Sequence, residues 1–493
     1  MNRIKNNLKE FFCDKKLYLY SIITVLFFGI YAMIQYAPDT YFVFSVDSTE
    51  TMTHFFSCGR FVTGIFFKIL LGIFKLKDIT IYNISYLIAI ICTILSMYKL
   101  DKLFEDITKN KKLIVISTIF IIINIFSIEL YMYIEKGILM LSVLLCILAI
   151  EQTKKFFEGN KKSIFFAIFI MILANCCYQG TVGLYVGIAL LYIIKYSKNC
   201  KEFIKNNILV ALIYGIPAII NFILVRFIFI NTRVKGEIIL EESIKKMIKG
   251  IKDMIFGTYQ LFPKYLFAIM LSILIIFIVY KVIKKQEQTK TKILKVLGIG
   301  YIIAGTVFAT VIPQIMQDTE SIWFVARSTY SGASLIGILM LYALENIEIK
   351  KVQLNAIMII SCIILSIQFI YFTKFTVDDY IVNYQDRQEV KQIEKIMHEY
   401  EKNTGETITK IAVYEDKNPN YTYFNISSSG DMNLKSIYKD WSTVSVLNYY
   451  MNRNLENTKL DNEIQEEFKQ HEWDYFNEGQ VIFKGDTLHI CVY

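Results

Sequence analysis

The chain has 493 residues, 54% hydrophobic and 20% charged, with a mean hydropathy of +0.42 and a net charge of +9. Apolar runs long enough to cross ~30 Å of hydrocarbon as helices recur up to about residue 372, which excludes an ordinary soluble globular protein. The charge is divided: residues 1–372 hold 40 Lys and Arg against 23 Asp and Glu, and residues 373–493 hold 13 against 21. The basic residues sit in connectors rather than on one folded face, so they orient a membrane protein and meet lipid headgroups; no nucleic-acid partner is expected.

A basic start with Arg3, Lys5, Lys9, Lys15 and Lys16 precedes an apolar stretch from Leu17 to Ala37. That stretch is long and lacks a small-residue cleavage site, so it reads as a retained first span. Further spans are expected at about 79–98, 113–130, 137–152, 163–178, 181–195, 208–230, 265–283, 296–313, 329–344 and 354–372, which makes eleven helices. Phe61 to Leu76 is also apolar, but it has 16 residues with Lys68 near its middle. Phe61, Ile65, Ile69 and Ile73 recur there at i, i+4, the pattern of a helix lying in the interface. Connectors 1–16, 99–112, 151–162, 195–207, 281–295 and 345–353 then share one side and together carry 26 Lys or Arg. Basic residues resist translocation, so the N-terminus is expected in the cytoplasm and the C-terminal part outside a plasma membrane crossed many times. Pro217 falls mid-span in YGIPAII, as a simple kink or as the wall of a substrate groove.

After Phe372 the composition becomes that of a soluble α/β module over 373–493. Arg387 to Lys402 reads as a helix with Val390, Ile393, Ile396 and Met397 on one face and Gly405 as its stop. Lys410 to Tyr414 reads as a strand closed by an Asn418-Pro419 turn, and Gln480 to Tyr493 as a hairpin turning at Gly485-Asp486. The nine cysteines form no CxxC pair and lie mostly inside apolar runs, where they behave as small core hydrophobes.

The loop after the first span reads PDTYFVFSVDSTETMTHFFSCGRF and holds Asp39, Asp47, Glu50, His54 and Arg60. A solvated loop carries charges without chemistry, but Asp47 lies between apolar VFSV and polar STET, where a carboxylate can act as general base on a sugar hydroxyl. Arg60 can hold a phosphate bidentately. The same side holds Glu129, Glu135 and Lys136, then Tyr178 and Gln179, then Arg226 at the end of the seventh span. Such groups are costly to bury and often functional, though interfacial snorkelling also places charges there. The segment from Asn231 to Lys264 reads as a basic amphipathic helix on the membrane surface, with Ile244, Met247, Ile248, Ile251 and Ile255 on one face. QDTESIWFVARSTYSG then offers Asp318, Glu320, Trp323 and Arg327, suited to sugar stacking and phosphate pairing, or to an interfacial aromatic anchor.

A long first span, an acidic outer loop ending in SCGRF, a later YQG between two spans, and a C-terminal VIFKGDTLHICVY hairpin together resemble the bacterial O-antigen glucosyltransferase (Gtr type II) family over most of the chain. The resemblance implies a GT-C type membrane glycosyltransferase. It would take a hexose, typically glucose, from an undecaprenyl-phosphate carrier to an envelope glycan outside the membrane, with a separate flippase and carrier synthase as partners. It implies Asp47 as base with Glu50 beside it, and matches the family's Gly-Arg pair to Gly59 and Arg60 and its Tyr-Gln pair to Tyr178 and Gln179; His54, Glu129, Glu135, Arg226, Asp318 and Arg327 are further candidate substrate contacts from their place on the same side of the membrane. The sequence departs from the family pattern before the fourth span, where SIELYMYIEKG lacks an expected Pro. A divalent metal is chemically compatible, but the loop has no His cluster and no tight Asp pair, so none is assigned. The rival expectations are a lipid or glycan transporter, an envelope-glycan polymerase, and a membrane anchor displaying the tail; the gathering of ionisable residues at one face rather than mid-bilayer disfavours the transporter.

Overall fold

The computed structural model describes residues 14–229, 237–315, 317–346, 349–415, 435–471, 473 and 476–492. Its helices are α1 (Lys15–Phe28), α2 (Pro38–Ser45), α3 (Ser48–Ser57), α4 (Phe61–Phe67), α5 (Asp78–Phe104), α6 (Lys111–Ile122), α7 (Ser127–Met132), α8 (Lys136–Phe157), α9 (Ser163–Cys177), α10 (Gly183–Tyr196), α11 (Cys200–Ile223), α12 (Leu240–Lys252), α13 (Leu266–Lys284), α14 (Thr289–Ile315), α15 (Tyr330–Ala333), α16 (Leu335–Asn346) and α17 (Lys351–Thr404). Beyond them come β1 (Lys410–Glu415), α18 (Asp440–Met451), β2 (Glu456–Asn457), α19 (Asn462–Lys469), β3 (Val481–Lys484) and β4 (Thr487–Val492).

Eight helical stretches among the described residues are long and apolar enough to cross a membrane, those built on α1, α5, α8, α10, α11, α13, α14 and α17. Three of the eleven expected spans fall short. The stretch at 113–130 is helical in α6 only to Ile122 and then breaks, α9 has 15 residues, and 329–344 is divided between α15 and α16. Exposed Ile22, Leu87, Phe165, Phe169, Ile219, Ile273, Leu297 and Ile363 form the lipid-facing surface that such helices need. Phe61 to Ile73 is α4 extended by a wide helical turn; Ile65, Ile69 and Ile73 of its apolar stripe are exposed, and the Lys68 ammonium donates to the hydroxyls of Ser48 (3.1 Å) and Thr49 (2.8 Å).

One end of the bundle carries the Lys-rich connectors, tied by Lys16 to Asp101 and to Glu105 (3.0 Å) and by Lys102 to Asp14 (3.3 Å). The opposite end, called the loop end below, carries α2 to α4. There the C-terminal unit is not separate: α17 runs unbroken through Phe372 to Thr404, stopped by Gly405 at φ +75°. Tyr36, Tyr41, Phe55 and Phe67 share one core with Val390, Ile393, Ile411, Val446 and Ile490, and α18 packs on α2. The sheet has the order β2-β1-β4-β3, with β1 parallel to both neighbours. β3 and β4 pair antiparallel through the turn at Gly485 and Asp486. The expected Asn418-Pro419 turn lies outside the described residues.

Asn383 of α17 clamps the segment before α2, its Oδ1 accepting from the Tyr36 N–H (2.7 Å) and its Nδ2 donating to the Tyr36 carbonyl (3.0 Å), all in buried surroundings. Asn383→Ala strands both backbone groups and is expected to lower unfolding free energy by about 2–4 kcal/mol, read as a fall in the thermal midpoint of the detergent-solubilised chain.

Candidate active site

The site begins with a glycine. Between α3 and α4 the chain turns sharply at Gly59, with φ +73°, a conformation that favours glycine. The turn is gripped from the facing helices: Gln179 Nε2 donates to the Gly59 carbonyl (2.9 Å) and the Cys58 carbonyl (3.2 Å), and Asn221 Nδ2 donates to the Gly59 carbonyl (2.7 Å). A Cβ on Gly59 would sit 2.4 Å from Asn221 Oδ1 and 2.6 Å from Gln179 Nε2, so a side chain there would displace the two amides that grip the turn. The Gly-Arg and Tyr-Gln pairs, 119 positions apart between Gly59 and Tyr178, therefore meet in space.

Held by that turn, Arg60 donates from Nη1 to Glu135 Oε1 (3.1 Å) and lies over the Tyr178 ring, 4.9 Å from its centre. A second guanidinium follows: Arg327 lies 3.8 Å from the centre of the Tyr133 ring and 3.8 Å, at Nε, from Glu129 Oε1. The backbone N–H of Arg327 donates to Glu129 Oε2 at 2.5 Å. Tyr178 lies within electrostatic reach of both arginines and both glutamates. Glu129, Glu135 and Arg327 are buried, which is tolerable because each anion faces a cation. Asp39, in the first turn of α2, is half-buried and within electrostatic reach of Glu135 and Arg327. Among the described residues no hydrogen bond engages its carboxylate. Behind Glu135, the Lys136 ammonium lies 3.7 Å from the centre of the Tyr82 ring and faces the charge of buried Asp379 on α17.

The structure thus brings Arg60, Glu129, Glu135, Tyr178, Gln179 and Arg327 together. It places the other expected residues elsewhere. Asp47 is exposed and caps α3, its Oδ1 accepting from the N–H of Thr49 (2.5 Å) and of Glu50 (3.2 Å). Those backbone donors, the Thr49 one foremost, hold its carboxyl below the usual range and make it a weaker base. Glu50 and His54 are exposed on α3, the His54 ring 4.9 Å from that of Phe42. Arg226 is half-buried in the turn after α11, and Asp318 closes a local turn by accepting from the Ser321 N–H at 2.7 Å. Sequence reasoning named Asp39 and Lys136 without roles and missed Tyr133, Asn175, Asn221 and Asp379, which are uninformative types inside apolar or tail segments.

Beside Arg60 opens a cavity of about 160 Å³. Its walls come from the α3–α4 turn, the Tyr178 segment, the flank of α11 beyond buried Pro217, and the end of α14 around Pro313. Pro217 thus stands on a helix that forms a groove wall, with Tyr214, Ala218 and Asn221 toward the cavity. Among the described residues no group of three His, Cys, Asp or Glu is placed to hold a metal ion. Comparison with protein-family models, with characterised proteins and with solved structures gives no match.

Arg60 is the direct cation for Glu135, so Arg60→Ala leaves a buried carboxylate short of compensation. The expected loss is about 3 kcal/mol of stability in denaturant unfolding, and adding Glu135→Gln to that variant should recover part of it.

Proposed function

We propose that the chain is a membrane glycosyltransferase that moves a hexose, glucose being the working choice, from a polyprenyl-phosphate carrier to a cell-envelope polysaccharide. The observation that carries the reading is the convergence of Arg60, Arg327, Glu129, Glu135 and Tyr178 beside a cavity of mixed polar and apolar lining at the loop end of an apolar bundle. Lipid-linked sugar phosphate is a substrate that needs cations at the end of membrane helices, where the headgroup lies and water is partly excluded.

In this reading the loop end faces outside and the Lys-rich end faces the cytoplasm, as the charge bias favours. The short helices α6 and α9 and the pair α15–α16 complete eleven crossings, and the sheet-containing unit is extracytoplasmic. Donor, acceptor glycan, a flippase and a carrier synthase are the proposed partners.

Asp39 takes the base role in preference to Asp47. It is within electrostatic reach of Arg327 and Glu135, half-buried, and not committed to a helix cap. Its carboxylate removes the proton from an acceptor hydroxyl while that oxygen attacks the anomeric carbon. The bond from that carbon to the phosphate oxygen breaks, the configuration inverts, and polyprenyl phosphate leaves with the electron pair. Preorganised cations meet the charge that develops on the departing phosphate, and Arg60, half-buried at the cavity wall, is placed for that task. Glu135 and Tyr178 fix the guanidinium before substrate arrives.

The test supplies vesicles containing the purified chain with radiolabelled polyprenyl-phosphate hexose and envelope polysaccharide. Wild type is expected to transfer label, Asp39→Asn to lose about 10²–10⁴-fold in rate, and Asp47→Asn, which keeps a capping side chain, to stay within a few-fold of wild type. The opposite ranking returns the base to Asp47. A wild type that moves glycan across the vesicle without transferring label makes the protein a transporter.

A further inference from the structure

The proposed transfer leaves one buried group in the cavity without a task. Asn175, on the last turn of α9, is 2% exposed and lines the cavity, and its Oδ1 meets no hydrogen-bond partner among the described residues. An amide oxygen buried in this way costs about 1–3 kcal/mol unless something donates to it. Several other polar groups at the cavity have partners: the amides of Asn221 and Gln179 grip Gly59, Gln314 Oε1 accepts from the Trp323 N–H at 3.5 Å, and the Tyr214 hydroxyl donates to the Ala309 carbonyl at 2.8 Å. Gln317 faces the cavity from beyond α14. Arg60 is the single Lys, Arg, Asp or Glu among the lining residues. The wall therefore offers a phosphate one cation and offers whatever is attached to that phosphate neutral hydrogen-bonding groups. It provides no carboxylate for an amino sugar and no second cation for a uronic acid. The cavity, at about 160 Å³, is also small beside the ~300–1,000 Å³ of sites for drug-sized ligands, which suits one ring rather than a glycan chain.

We infer that this cavity seats the uncharged hexosyl group of a lipid-phosphate donor, with Asn175 Oδ1 accepting a hydrogen bond from a sugar hydroxyl and Arg60 facing the phosphate. The inference rests on the donor class proposed above and adds a residue that distinguishes the sugar from its carrier. Asn175 is a specificity residue in this account, since a site built to hydrogen-bond a hydroxyl rejects ligands that lack it.

The experiment measures binding, not turnover. The full chain in lipid nanodiscs is titrated with polyprenyl-phosphate hexose and, separately, with polyprenyl phosphate lacking the sugar. Asn175→Leu, close in volume but without the acceptor, is expected to weaken the hexosyl lipid about tenfold and to leave the sugarless lipid within twofold. Asn175→Ser is the second variant should Leu impair folding; its hydroxyl still accepts but sits farther back, so it should weaken hexosyl binding selectively and by less. Equal weakening of both lipids by either folded variant, or no weakening of either, overturns the inference. If the wild type binds neither lipid, both the cavity assignment and the donor class fail. If discrimination is found but no sugar reaches a glycan, the cavity stands and the transferase reading fails.

Discussion

Charge buried in a low-dielectric bundle must be answered by opposite charge, and this constraint organises the loop end of the molecule. Glu129 and Glu135 could not occupy their buried positions without Arg327 and Arg60. Arg60 in turn reaches Glu135 only because Gly59 adopts a left-handed turn that Gln179 and Asn221 hold by its carbonyl. Four distant parts of the chain, α3–α4, the α7–α8 segment, the α9–α10 turn and the entry to α15, are thereby fixed against one another. The result is a pair of aromatic-backed guanidiniums, of which Arg60 lines the cavity and Arg327 lies buried against Tyr133.

The C-terminal unit takes part in the same organisation. Because α17 is continuous, whatever moves the sheet also moves the helix that carries Asp379 toward Lys136, next to Glu135. Tyr450 and Asn383 bind the first loop and the segment before it directly, through Tyr41 and Tyr36, and Tyr449 donates to Asp78 at the start of α5. In this arrangement the unit braces α2, and with it Asp39, rather than hanging from the membrane part as an independent module.

Much of this was legible in the sequence wherever one property dominates. Hydropathy located the long helices, the i, i+4 stripe marked a short helix at α4 with Ile65, Ile69 and Ile73 exposed, and Gly405 and Gly485 marked a helix stop and a hairpin turn. The helices in the three short or broken apolar stretches are shorter than expected because hydropathy measures apolar length, and says nothing of a break such as that at Ile123 between two buried segments. The Gly59-Arg60 and Tyr178-Gln179 pairs could be singled out, but their meeting depends on tertiary packing. Asp47 drew attention through its position between apolar and polar stretches, the same position that makes it a helix N-cap; a carboxylate followed by Ser-Thr-Glu is also a capping signal. Asn175 gave no signal at all, being an amide in an apolar run whose importance depends on what surrounds it.

The most direct test of the account is a cryo-EM map of the full chain in lipid nanodiscs with polyprenyl-phosphate hexose bound. The account predicts phosphate density within hydrogen-bond distance of the Arg60 guanidinium and the sugar in the adjoining cavity. It is contradicted if the headgroup density lies beside Asp47 on α3, or if the lipid occupies only the apolar groove of about 320 Å³ between α6, α13, α16 and α17 while the cavity at Arg60 stays empty.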